Sequence, residues 1–169
     1  MPNILIIDDE IDICKQVSIT LTDEGYHASY VMSSDECLNE LSKNNYDIVL
    51  VDLWLKNSTL QGNQLISHLS SIYNELIIIS FSGHANIDNA IDSLKSGAHD
   101  FIEKPFETKK LLHVISKNLE FLKNKITIDN YRNKMSFHTK INYIGCSDEI
   151  SLILNKINKF NKKKNIFIS

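Results

Sequence analysis

The residues of this chain that could do chemistry sit immediately after short apolar runs. Asp8 and Asp9 follow Ile4-Leu5-Ile6-Ile7, and Asp52 follows Ile48-Val49-Leu50-Val51. Ser82 comes shortly after Leu76-Ile77-Ile78-Ile79, and Lys104 shortly after Asp100-Phe101-Ile102. Gathered in one place, Asp8, Asp9 and Asp52 would bring together three negative charges, which is costly unless they are balanced. One divalent cation and the Lys104 ammonium would balance them. Oxygen-only ligation with retained waters suits Mg²⁺ better than Zn²⁺. A carboxylate beside Mg²⁺ can act as a nucleophile on phosphorus and give an acyl phosphate. The metal and an ammonium would stabilise the equatorial oxygens during transfer. Phosphorylation of Asp52 adds about one further negative charge, and Lys104 and the Ser82 hydroxyl are the natural groups to respond. Taken singly, Asp8 or Asp9 is equally well read as a helix cap. Capping leaves the lysine and the hydroxyl at the ends of other strands unexplained.

The elements that must position these groups follow from hydrophobic spacing. Continuous apolar runs rich in β-branched residues suit strands buried on both faces of a parallel sheet. Ile4–Ile7, Ile48–Val51, Leu76–Ile79 and Asp100–Ile102 read this way, with His27–Val31 a weaker fifth strand. Between them apolar residues recur at helical spacing. Ile11, Cys14, Val17 and Leu21 give a first helix, stopped at Gly25. Ser34 to Leu41 gives a second, with Cys37, Leu38 and Leu41 inward, and Gln64 to Leu69 a third. Ile87, Ala90, Ile91 and Leu94 give a fourth, ended at Gly97; Leu111, Leu112, Ile115, Leu119 and Leu122 give a fifth. Five strand–helix alternations argue for an α/β fold with a doubly wound, five-stranded parallel sheet and helices on both faces. In such sheets ligands bind beyond the carboxyl ends of the strands, where the polar residues lie.

The totals exclude several classes. The 169 residues suffice for one ordinary domain and a remnant; 43% are hydrophobic and 23% charged, as in soluble globular proteins. A net charge of -3 gives no overall attraction to nucleic acid or anionic membranes. Cys14, Cys37 and Cys146 are odd in number and widely spaced, and read as small buried apolar residues in a reducing cytoplasm. The amino terminus lacks the basic stretch of a signal peptide, and no apolar run approaches the ~20 residues needed to cross a bilayer.

Asp8-Asp9-Glu10, Asp52, Ser82-Gly83-His84 and Lys104-Pro105-Phe106, in this order and spacing, resemble the receiver domain of two-component response regulators over roughly residues 3 to 122. The resemblance implies a flavodoxin-like fold, Mg²⁺ binding, phosphoryl transfer from a sensor histidine kinase, and signalling through the face of the fourth and fifth helices. It implies that Asp52 is the phosphoacceptor, that Asp9 is a direct metal ligand, and that Asp8 holds a metal-bound water. The backbone carbonyl of Trp54 matches the third protein ligand. Ser82 matches the switch hydroxyl, Lys104 the family's lysine, and Phe101 the aromatic switch position, here without a phenolic hydroxyl. The stretch Asp52-Leu53-Trp54-Leu55-Lys56-Asn57-Ser58, running on to Leu60-Gln61-Gly62, is longer than in most receivers and lacks proline. It is similar to the NtrX-type branch of the NtrC family, and so implies an NtrY-like kinase and a role in transcriptional control. The Trp54 side chain reads as a lid or core residue rather than a ligand-binding group.

Residues 123–140 read as a helical linker and 141–169 as the opening of an AAA+ sigma-54 interaction module. Tyr143-Ile144-Gly145-Cys146-Ser147 resembles its entry motif, and Ser147 would cap a helix carrying Ile150, Ile153, Leu154, Ile157 and Phe160. Neither a phosphate-binding G-x-x-x-x-G-K-[ST] loop nor a helix-turn-helix is read in it, so neither ATP binding nor direct DNA binding is expected of this chain. The lysines from Lys156 to Lys164 read as a solvated face. Leu112, Ile115, Leu119, Leu122 and Ile126 form a short heptad seam, read either as a homodimer contact or as the inner face of the fifth helix. Two rival functions remain at this stage: a shortened receiver acting as phosphate sink or dominant-negative partner, and a Mg²⁺-dependent phosphohydrolase. Such hydrolases carry a second aspartate two residues after the nucleophile, where this chain has Trp54. The chain is therefore not expected to be an enzyme beyond slow self-dephosphorylation.

Overall fold

The computed structural model describes residues 1–56, 58–83 and 87–122. His84, Asn57 and everything expected of residues 123–169 lie outside the described residues.

Strands and helices alternate: β1 (Asn3–Ile7), α1 (Ile11–Asp23), β2 (His27–Val31), α2 (Ser34–Leu41), β3 (Ile48–Asp52), α3 (Gly62–Ile72), β4 (Ile77–Ser82), α4 (Ile87–Lys95) and β5 (Asp100–Glu103). A fifth helix, α5, runs over 108–122. The strands form one parallel sheet in the order β2-β1-β3-β4-β5. The chain leaves β1 toward one edge and returns to β3 on its other side, so the switch in strand order lies between β1 and β3. This is the doubly wound parallel sheet that the alternation implies, in keeping with the flavodoxin-like fold that the resemblance implies.

The strand alternation divides the core in two. Ile4, Ile6, Ile48, Leu50, Ile77 and Ile79 face α1 and α5, meeting Cys14, Val17, Leu21, Leu111, Val114 and Ile115. Leu5, Ile7, Val49, Val51 and Ile78 face the other way, onto Cys37 and Leu41 of α2 and Leu65, Ile66 and Leu69 of α3. Burial on both faces explains why Ile4–Ile7 and Ile48–Val51 contain no polar residue, whereas β4 carries the buried Ser80 within it. Gly25 and Gly97, which follow α1 and α4, have φ of 85° and 109°. These are left-handed values that favour glycine. No helix among the described residues is long and apolar enough to cross a membrane.

One element answers a reading the sequence left open, and another differs from its sequence pattern. The seam on α5 is the inner face of that helix as far as it is described: Ile115 is buried, and Leu112, Leu119 and Leu122 pack on the same core. Helix α4 is inverted. Its apolar residues Ile87, Ile91 and Leu94 are exposed, and its buried residue is Ser93. The cause is a hydroxyl on the strand beneath. Ser80 of β4 is fully buried and donates to Ser93 Oγ at 2.9 Å, while Ser93 donates to the Ala90 carbonyl at 2.9 Å. A buried hydroxyl needs a partner, and Ser93 supplies one where the spacing had suggested an aliphatic contact.

In urea unfolding, Ser93→Val is expected to destabilise the protein by about 1–3 kcal/mol, because Ser80 loses its shorter partner and keeps only the Asp100 carbonyl at 3.3 Å, and because the added methyl crowds the site. Ile91→Ser is expected to change stability by less than ~0.5 kcal/mol. The reverse order would contradict the inverted packing of α4.

Candidate functional site

The carboxyl ends of β1, β3, β4 and β5 converge. Asp8 is fully buried, and Asp52, the last residue of β3, is 4 % exposed. Asp9 joins them: Asp8, Asp9 and Asp52 each offer a carboxylate oxygen, all within 4.8 Å of one another. Lys104 arrives from beyond β5, at the sheet edge. Its backbone N–H donates to the Ser82 carbonyl at 2.8 Å, which ties it to the end of β4. Its ammonium lies 2.6 Å from Asp8 Oδ2 and 3.2 Å from Asp52 Oδ1. The Lys104–Pro105 peptide is cis.

The carboxylates are held individually. Asp8 Oδ1 accepts from the Glu10 backbone N–H at 2.9 Å, so both its oxygens are engaged. Asp52 accepts from Lys104 and from the Trp54 backbone N–H. Burial pushes the Asp52 carboxyl above its ordinary value; the Lys104 ammonium opposes this, and the Asp8 charge adds to it. The Lys104 ammonium also stands 4.4 Å from the Phe81 ring centroid, a favourable cation–π distance. Phe81 in turn meets Phe106 edge-on, with ring centroids 6.3 Å apart.

Of the residues expected from the sequence, Asp8, Asp9, Asp52 and Lys104 are brought together here, with Trp54 at the cavity, whereas Phe101 lies apart in the core. Ser82 is buried at the end of β4, and Phe101 in β5 packs partly buried against the α2/α3 side of the core. Trp54 is 54 % exposed, so its indole is not a core residue; it lines a cavity of about 280 Å³ together with Asp9, Asp52, Lys56, Gly83 and Lys104. The donor set fits Mg²⁺. It offers hard carboxylate oxygens only, close enough to share one ion, with Asp8 already engaged by protein donors and thus suited to an outer role.

Three contributors were not foreseen from the sequence. Phe81 supports Lys104. Lys56 stands 3.9 Å from Asp9 Oδ2. Gly62, at the start of α3, lies against the carboxyl end of β3. A Cβ there would fall 2.4 Å from Leu53 Cα and 2.6 Å from the Asp52 carbonyl oxygen. Only glycine lets α3 approach this backbone. The signal was present in Gln61-Gly62, but a glycine at a helix start reads first as a cap.

Two outcomes follow. Gly62→Ala should destabilise the protein by about 1–3 kcal/mol through overpacking against backbone, measured by denaturant unfolding; a neutral effect would contradict the close approach. For Asp52, the folded carboxyl holds its proton more tightly than the unfolded one. Metal-free stability is therefore lost as pH rises from the ordinary value of 3.8 through the raised folded value, and the deficit persists above it. Asp52→Asn lacks this titration, so its stability relative to wild type should increase across that window. A difference independent of pH would contradict the raised carboxyl.

Comparison with known proteins places the geometry in a wider set. Residues 4–116 match the response regulator receiver domain. The chain is 30 % identical over 161 residues to the nitrogen assimilation regulatory protein NtrX of Azorhizobium caulinodans, covering 95 % of this chain and 36 % of that protein. It is 32 % identical over 145 residues to a putative NtrX-like response regulator of Rickettsia felis, covering 86 % and 30 %. The crystal structure of the receiver domain of NtrX from Brucella abortus superposes with a TM-score of 0.68 at 36 % identity, over 70 % of this chain and 98 % of that one. The chain thus spans about a third of the length of the curated relatives it matches.

Proposed function

The chain belongs to the response regulator receiver domain family, and from that premise we propose that Asp52 accepts a phosphoryl group from a sensor histidine kinase and that the event is passed on as a change of shape. The observation that carries this reading is the Lys104 ammonium bridging Asp8 and Asp52, at 2.6 and 3.2 Å, with Asp9 alongside. A buried acid cluster neutralised by one lysine is a poor structural element but a suitable site for developing negative charge.

In the proposed reaction an Asp52 carboxylate oxygen forms a bond to phosphorus as the P–N bond of a phosphohistidine breaks. The bonding pair stays with the imidazole nitrogen, and the ring leaves neutral when its other nitrogen carries a proton. Lys104 stabilises the charge that spreads over the phosphoryl oxygens. Asp9, Asp52 and the Trp54 carbonyl would hold Mg²⁺, with Asp8 holding a water upon it; the ion supplies further charge neutralisation. Asp52 starts with its carboxyl raised by burial, so bringing a cation beside it favours the ionised, nucleophilic form.

Ser82 and Phe101 are the proposed responders. Ser82 is already linked to Lys104 through its carbonyl, so a hydroxyl and an ammonium on adjoining strands can move together toward the new oxygens. Phe101 pairs in register with Ser80, the residue that holds α4 through Ser93. This supports a route from the site to α4, whose apolar face is open. The relatives include regulators of transcription, and transcriptional control by an NtrX-like pathway with an NtrY-like kinase is our reading of the destination. The buried free thiols Cys14 and Cys37 fit a cytoplasmic location. A homodimer would have to use residues beyond 122 or another surface, since the described part of the α5 seam packs on its own core. We read Asp52 as an acceptor rather than a hydrolase nucleophile, because the residue two positions on is Trp54, which has no carboxyl to exchange a proton.

Incubated with Mg²⁺ and acetyl phosphate, the wild-type protein should gain one phosphoryl group by intact mass. Asp52→Asn, or wild type with chelator, should gain none. Uptake by Asp52→Asn would contradict the assignment.

A further inference from the structure

The loop between β3 and α3 is unusually well anchored for a segment beside a reactive site. Leu55 is fully buried among the residues facing α2 and α3. Farther on, the loop is tied to the start of α2. Ser34 N–H donates to Ser58 Oγ at 3.2 Å, Thr59 Oγ1 donates to Asp35 Oδ2 at 2.9 Å, and Leu60 N–H donates to Ser34 Oγ at 3.0 Å. Trp54 and Lys56 flank the buried leucine, and both line the cavity above Asp52. Lys56 is thus a long cationic side chain on a fixed base at the rim of the site. Its ammonium rests 3.9 Å from Asp9 Oδ2, and its side chain is 77 % exposed.

The two lysines of this cavity differ in freedom. Lys104 has 12 % side-chain exposure, two carboxylate partners and an aromatic ring beneath it. It belongs to the floor. Lys56 has one distant anionic partner and faces solvent, so its pairing is weak and easily exchanged. The charges in contact also leave a surplus that Lys56 explains. Without metal, Asp8, Asp9 and Asp52 exceed Lys104 and Lys56 by one negative charge. A divalent cation turns this into one positive charge, and transfer of a phosphoryl group, which adds about one negative charge, brings it to neutrality. Leaving out Lys56 would make the loaded site neutral before transfer and negative after it. Glu10 also lines the cavity, exposed at its rim, and reinforces the need for a mobile cation there.

Resting on the phosphoacceptor reading above, we propose that Lys56 is a donor-recognising residue: it sits on Asp9 while the site is empty and is released to the phosphoryl oxygens of an incoming anionic donor when a divalent cation takes that carboxylate. The same residue then opposes metal loading and assists donor binding, two effects of opposite sign.

Lys95 provides the control. It makes an ion pair of the same 3.9 Å length, with Asp92, at 74 % side-chain exposure on α4. In the full chain, Mg²⁺ affinity is read from the midpoint of the Trp54 emission change, and donor recognition from the acetyl phosphate concentration giving half-maximal phosphorylation at saturating Mg²⁺. Lys56→Met should tighten Mg²⁺ binding and raise the half-saturating donor concentration, each by about three- to tenfold at low salt and less at high salt. Lys56→Arg should stay near wild type in both, and Lys95→Met should match wild type. An unchanged Mg²⁺ midpoint, or an unchanged or lower donor requirement, in Lys56→Met would overturn the inference while leaving the Asp52 assignment standing. Absence of phosphorylation in wild type itself would overturn both.

Discussion

Asp8 and Asp52 are buried carboxylates brought within a few ångströms of each other, and the Lys104 ammonium is what makes that arrangement tolerable. Two like charges out of water repel strongly, and the effective cost of burying each is several kcal/mol. Lys104 lies 96 residues from Asp8 and 52 from Asp52 in sequence. It can meet both only because β5 lies beside β4, β4 beside β3, and β3 beside β1. The parallel sheet is thus the device that gathers the charges. Phe81 beneath the ammonium and the Ser82 carbonyl on the Lys104 backbone fix the lysine's direction. Truncating Lys104 alone would leave two uncompensated acids, a loss on the order of 3–5 kcal/mol that proton uptake or a bound cation would relieve. In the proposed reaction a phosphoryl group on Asp52 would enlarge the same imbalance, so Lys104 is the group placed to respond.

The fold was legible because its strands are buried on both faces. Ile4–Ile7 and Ile48–Val51 cannot hide a polar residue, so the first polar residue marks the strand end and hence the site. Asp8, Asp9 and Asp52 come together for that reason; Ser82 and Lys104 do not follow it, because the first polar residue after Ile79 is Ser80, buried within β4. Legibility failed where a contact depends on three dimensions alone. A lysine four residues after an aspartate gives no sign that it will reach Asp9, and Gly62 reads as a helix cap until the Leu53 backbone is seen against it. Phe81 falls beyond the apolar run Leu76–Ile79, and its ring is assigned to Lys104 only by the extension of β4 to Ser82 and its pairing with β5.

Helix α4 shows a different limit. Periodicity reports that a helix is amphipathic, not which side faces the protein. Here a buried hydroxyl on β4 selects Ser93, and Ile87, Ile91 and Leu94 are left outward. A helix held to the sheet by hydroxyl contacts, with its apolar residues outside, is held less firmly than one anchored by aliphatic burial. That would suit the proposed route from the site to α4, the helix that follows the strand end carrying Ser82. The loop bearing Lys56 is the opposite case, pinned by Leu55 and by α2, and therefore a fixed support on the other side of the cavity.

The central claim is that Asp52, and no neighbouring acid, carries the phosphoryl group. The most direct measurement is to phosphorylate the chain with Mg²⁺ and a small phosphodonor, reduce the acyl phosphate with borohydride, and sequence the peptides by mass spectrometry. Reduction converts an aspartyl phosphate to homoserine. Homoserine at position 52 is the predicted result; homoserine at position 8 or 9, or at none, would contradict it.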